Sequence, residues 1–189
     1  MEKPRWKVRS SEYLVQSPYM QLRKDAVELP DGSVIPDYYV RESRGFTIVV
    51  ALTTADKAIV TREYRYGADS LGYELPAGTI DGDEEPLACA RRELREETGY
   101  EAPSFEYVGS SFADPVRSNS RAHVFLARQA QRTAPQSLDG GETIDVQEVS
   151  LDELRAIARD GRMHSLAAIA AVYLALDALE QLGSPLSQR

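Results

Sequence analysis

The chain has 189 residues, 42% apolar and 28% charged, with 22 Lys and Arg against 30 Asp and Glu, a formal charge of −8. That length suits one domain, or one domain with a small appendage, and buries a core without disulfides. The acidic balance argues against a nucleic-acid-coating surface, a single Cys89 excludes a disulfide framework or a multi-Cys zinc site, and no apolar run reaches the roughly 20 residues of a bilayer span.

Neither nucleic acid nor a membrane is therefore an expected partner. The opening Met-Glu-Lys-Pro-Arg-Trp-Lys has no apolar centre, so a secretory leader is not expected and a cytoplasmic location is. Residues 25–29 and 34–41 flank the turn cluster Pro30-Asp31-Gly32-Ser33 and predict a hairpin. The β-branched runs 46–52 and 58–63 around Thr54-Ala55-Asp56-Lys57 predict a second. Residues 71–80, with Glu74-Leu75-Pro76-Ala77-Gly78, are too rich in Pro and Gly for a helix. Asp83-Glu84-Glu85-Pro86 opens one, since acids suit its positive end and Pro its first turn. It should run to Thr98 and stop at Gly99. Strands are expected at 107–111, 123–127 and 143–150, a mobile polar loop at 129–141, and helices at 151–159 and from about 165 to 182. Strands and helices mix without regular βαβ alternation, so the class is α+β.

The chemistry sits on the first helix. At about 100° per residue Glu93 and Glu97 are about 40° apart, with Glu96 about 60° to the other side of Glu93. Leu87, Ala90 and Leu94 form the adjacent packing arc, with Cys89 between packing positions. Like charges at this spacing destabilise a helix, so the cluster calls for a counter-charge. Hard divalent cations with oxygen ligands, Mg²⁺ or Mn²⁺, fit that demand. A merely solvated acidic face is the alternative for any acidic helix.

Spacing decides between them. The chain follows G-x5-E-x7-R-E-U-x-E-E-x-G-U, U being apolar, from Gly78 through Glu84, Arg92, Glu93, Leu94, Glu96, Glu97 and Gly99 to Tyr100. Seven fixed residues give a chance match on the order of 10⁻⁸ per start position. This is the Nudix box, and the chain resembles the Nudix hydrolase superfamily. The resemblance implies an α/β/α sandwich with a mixed sheet. It makes Glu93 and Glu97 the principal metal ligands, Glu96 a third ligand or a base, and the Ala77 main-chain carbonyl a further ligand. Glu84 and Arg92 become an orienting pair. Such metals offset phosphate charge and activate a water for attack on phosphorus.

Arg62-Glu63-Tyr64-Arg65-Tyr66-Gly67, then Tyr73 to Gly78, resemble the segment entering the box in ADP-ribose pyrophosphatases and related nucleoside-diphosphate-sugar hydrolases. Pro115, 16 residues beyond Gly99, stands where that branch commonly has a proline. Asn119 and Ser120 depart from the branch, which often has an acid there, and this bears on the choice of sugar. Arg62 and Arg65 are candidates to grip phosphate, because guanidinium forks match phosphate oxygens. Tyr19, Tyr38 and Tyr39 fall near places where the branch stacks aromatics on the base. Glu142 lies in the polar loop from which the branch often draws a general base, while His123 reads as structural.

The resemblance further implies a homodimer. Residues 1–44 are expected as an N-terminal β-hairpin extension making dimer and substrate contacts, and 45–189 as the hydrolase domain with its box at 78–100. The expected reaction is Mg²⁺-dependent cleavage of ADP-ribose, or a related nucleoside diphosphate sugar, to a nucleoside monophosphate and a sugar phosphate. The alternatives are another nucleotide, such as GDP-mannose or an oxidised nucleoside diphosphate, and a nucleotide-sugar sensor without catalysis.

Overall fold

The computed structural model describes residues 5–138, 140–141 and 143–183. They form two compact units. One comprises the chain up to Gly45 with Phe112–Arg121, the other Phe46–Ser111 with the chain from Ala122 onward.

In the first unit β1 (Lys7–Gln16), β2 (Gln21–Glu28) and β3 (Val34–Glu42) make an antiparallel sheet in that order. The β2–β3 turn has the chemistry its sequence predicts. Leu29 N–H donates to Ser33 O at 2.8 Å, Asp31 Oδ1 accepts from Ser33 N–H at 2.9 Å, and Gly32 takes φ +84°. Strand β1 is not foreshadowed. It is exposed along its whole length and lacks a sustained period-2 apolar pattern, so only its ladder to β2 reveals it. Asp25 is buried. Burial opposes its ionisation, but Arg23 Nε at 2.9 Å and Ser11 Oγ at 2.6 Å hold its carboxyl below the ordinary 3.8. The 112–121 segment docks on the end of β3, with Arg41 N–H donating to Arg117 O at 2.7 Å and Ser120 Oγ to Arg44 O at 2.8 Å.

The second unit is built on a mixed sheet. Its strands are β4 (Phe46–Thr53), β5 (Ala58–Arg65), β6 (Ser70–Glu74), β7 (Ala77–Thr79), β8 (Tyr100–Glu101), β9 (Ser104–Phe112), β10 (Arg121–Arg132) and β11 (Asp145–Val149). The central order is β11-β5-β4-β10-β8; β6 pairs with β5, β7 with β4 and β9 with β10. The β4–β10 pair is parallel, the reason for the mixed character. Helix α1 (Pro86–Thr98) covers one face, and α2 (Leu151–Arg159) and α3 (Leu166–Gly183) the other. Alternation along β4 sorts the core. Ile48, Val50 and Leu52 pack with Leu154, Ile157 and Val172, while Val49 and Ala51 pack with Ala90 and Leu94.

Two local expectations change. On α1, Cys89, Ala90, Glu93 and Leu94 are buried whereas Leu87 is 39% exposed, so the packed arc takes in Cys89 and one acid instead of Leu87. The 129–141 stretch is not all loop. Strand β10 runs on to Arg132 through a bulge between Ala127 and Ala130, where Gln129 adopts φ +57° and Ala130 is buried. A bulge interrupts the apolar alternation by which a strand is read from sequence.

Candidate active site

The site begins with two short strands broken by a proline. Pro76 separates β6 from β7, and its carbonyl accepts from Val49 N–H at 2.8 Å, which fixes Ala77 and Gly78 beside β4. Helix α1 then crosses behind them. It starts on Pro86 and stops at Gly99, φ +76°, whose N–H caps Arg95 O. Glu93 points inward at 9% exposure, and a Cβ at residue 78 would overlap its carboxylate. Glu97 Oε2 accepts from Ala77 N–H at 3.1 Å. Helix and β7 are thus joined through these acids.

The counter-charge that the cluster demands is Arg92. Its Nη1 donates to Glu93 at 2.6 Å and to Glu96 at 3.1 Å, and its Nε and Nη2 fork onto Glu84 at 3.2 and 3.0 Å. The Arg92 guanidinium holds the Glu84 carboxyl below the usual carboxylate range, and these acids, Glu84 first, raise the pKa of Arg92. Glu84 and Arg92 are in contact, the pair that the resemblance implies, and Arg92 reaches three acids instead of one.

These residues open into a cleft of about 340 Å³ lined by Glu63, Arg65, Gly78, Glu93, Glu96 and Glu97, with Ala77 beside them. The side-chain donors are carboxylate oxygens, the kind a hard divalent cation takes. Gly78 supplies the close approach that lets Glu93 enter. Among the described residues no three acidic, His or Cys side chains already meet in ligand geometry. Arg92 holds Glu93 and Glu96, and the Ala77 N–H holds Glu97, so a cation engaging these oxygens competes with those bonds.

Arg65 lines this cleft, paired with Glu63 at 3.0 Å. It also lines an adjoining cleft of about 340 Å³ with Phe46, Glu74 and Ser165. There burial pushes the Glu74 carboxyl above its ordinary value, against the pull of Arg65 and His164. Arg62 lies elsewhere on β5. It sits opposite Tyr73 and Asp145 with its guanidinium 5.8 Å from the Tyr73 ring centroid, and it lines neither cleft.

Tyr19, Tyr38 and Pro115 belong to the first unit. Tyr19 is 98% exposed, and Pro115 is exposed in a turn closed by Ser118 N–H on Asp114 O at 2.8 Å. Tyr38 meets Trp6 edge-on at 5.8 Å and donates its hydroxyl to Val116 O. Glu142 lies outside the described residues. His123 sits on β10 with its ring 6.1 Å from that of Tyr107.

Sequence reasoning missed Ser137 and Gln136, the first in the cleft and the second bonded to the Glu97 main chain. Nothing in a polar turn-rich run distinguishes them. Glu63 had a signal, standing two residues before Arg65 on the same side of a strand.

Comparison with known proteins bears on family and fold. The NUDIX domain family matches residues 43–168, and the nucleoside diphosphate sugar hydrolase N-terminal domain matches residues 6–40. The chain is 32% identical over 168 residues to the methanol dehydrogenase activator of Bacillus methanolicus, covering 88% of this chain and 90% of that protein. It is 31% identical over 145 residues to the ADP-ribose pyrophosphatase of Bacillus subtilis, covering 76% and 78% respectively. A crystal structure of an ADP compounds hydrolase superposes with a TM-score of 0.83 at 19% identity, over 97% of this chain and 98% of that one, a likeness of fold.

Proposed function

The chain belongs to the Nudix family, and from that premise we propose that it is a pyrophosphatase for ADP-ribose or a related nucleoside diphosphate sugar. The reaction is Mg²⁺-dependent hydrolysis of the diphosphate bond to a nucleoside monophosphate and a sugar phosphate. The observation that carries this reading is that Glu93, Glu96, Glu97, Ala77 and Arg65 line one cleft, oxygen donors for a cation beside a guanidinium for phosphate. The match of residues 6–40 and the Bacillus subtilis relative favour a nucleoside diphosphate sugar over other Nudix substrates.

Members of the family generally work with divalent cations. Glu93, Glu96, Glu97 and the Ala77 carbonyl would hold Mg²⁺, with Mn²⁺ a possible substitute; the bound cation offsets phosphate charge and lowers the pKa of a water. Arg65 exchanges its Glu63 partner for phosphate oxygens, as a bidentate fork can. Arg92 keeps Glu84 ionised and orders Glu93 and Glu96 before substrate arrives. Arg62 has a weaker case than Arg65 because it lines neither cleft. Glu142 is the proposed proton acceptor. Tyr19, Tyr38 and Pro115 are proposed to contact substrate, the two tyrosines meeting the base.

We further assign residues 1–44 to the extension that supplies dimer and substrate contacts, 45–189 to the hydrolase domain, and the protein to a cytoplasmic homodimer. Among the described residues no helix is long and apolar enough to cross a membrane.

The test is incubation with ADP-ribose and Mg²⁺, with and without excess EDTA, following AMP by chromatography beside a GDP-mannose control. AMP formation that EDTA abolishes is expected. Folded protein that cleaves neither compound would overturn the substrate. Light scattering should give twice the 21.0 kDa chain mass, and a monomer would remove the dimer.

A further inference from the structure

The last turn of a helix leaves its carbonyls without intrahelical partners. In α1 that turn carries Glu96 and Glu97, and the left-handed Gly99 ends it before the next residues can return to those carbonyls. The chain supplies partners from some 40 residues away. Ser137 N–H donates to Glu96 O at 2.8 Å, and Thr133 and Ala134 N–H donate to Gly99 O at 2.9 and 3.2 Å. Gln136 Nε2 donates to Glu97 O at 2.6 Å and to Ile144 O at 3.0 Å, which uses both of its N–H groups. Both partners are acceptors, so the orientation of the amide is fixed. Ile144 is buried and leads into β11, which ends the central strand order beside β5, so one side chain ties the end of the acid-bearing helix to the approach of that strand.

We propose that Gln136 is a positioning residue for the metal site: by fastening the last turn of α1 it makes Glu96 and Glu97 present their carboxylates together. Helix ends fray first, and fraying of this turn would carry both acids with it. The inference rests on the metal reading of these acids, and it adds a residue outside the motif that sets how tightly they bind.

The test is Mn²⁺ binding by the purified protein without substrate, followed by the electron paramagnetic resonance signal of free Mn²⁺. The variant is Gln136→Met, which keeps length and loses both donors. Its Mn²⁺ dissociation constant should rise about 10- to 100-fold, as when the outer partners of metal ligands are removed. With ADP-ribose, kcat at limiting Mn²⁺ should fall and recover at high Mn²⁺ while KM for the nucleotide stays put. A purely structural role would lower the melting temperature and leave the Mn²⁺ constant of the folded protein unchanged, and that result overturns the proposal. If Gln136→Met does not fold, Gln136→Asn, with a shorter amide arm, is read in the same way. Wild-type protein that binds no Mn²⁺ is a separate outcome, which overturns the metal reading and this inference with it.

Discussion

Gly78 and Glu93 share one space: the Glu93 carboxylate lies where a Cβ at residue 78 would have to be. The motif's first glycine is thus explained by packing against the motif's first helical acid, which it lets lie buried against β7.

Gly78→Ala should therefore push Glu93 aside. We expect about 1–3 kcal/mol of destabilisation, the usual range for overpacking, together with weaker Mn²⁺ binding. Thermal melting and Mn²⁺ titration check both, and unchanged Mn²⁺ affinity would refute the role given to Glu93.

Glu97→Gln separates charge from shape. Glutamine keeps an oxygen for the Ala77 N–H, now accepted at 3.1 Å, so melting should change little. Loss of the negative charge should lower turnover by about two orders of magnitude or more, as removal of one electrostatic catalytic group does. An unchanged rate would sink the metal assignment.

Cys89 is fully buried, and burial pushes its thiol up to about 11. At pH 8 the native protein should therefore resist a thiol reagent that labels one group per chain in urea. Rapid labelling of folded protein would contradict the packing of α1.

Asp25 predicts a pH dependence for the first unit. Its carboxyl is held below the ordinary 3.8 in the fold, so its stabilisation is present above that value and lost as pH falls through the folded pKa. Asp25→Asn should cost about 2 kcal/mol near pH 7, the scale of hydrogen bonds to a charged group. The gap to wild type should narrow as pH falls below the ordinary 3.8. Urea melts at several pH values measure it, and a gap independent of pH would remove Arg23 and Ser11 as its cause.

Features that act within short windows were legible before any folding was considered. Pro86 and Gly99 delimit α1, Pro30 to Ser33 make the β2–β3 turn, and the spacing from Gly78 to Gly99 groups the acids, because capping, turn chemistry and helical periodicity act over a few residues. The rest came from long-range packing. It brought Arg65 and not Arg62 to the acids, let Arg92 reach three carboxylates, ran β10 through its bulge, and set Gln136 and Ser137 on the end of α1. Each of these depends on which strands pair and where a distant donor finds an unsatisfied carbonyl, and packing chooses those partners across tens of residues without marking them locally.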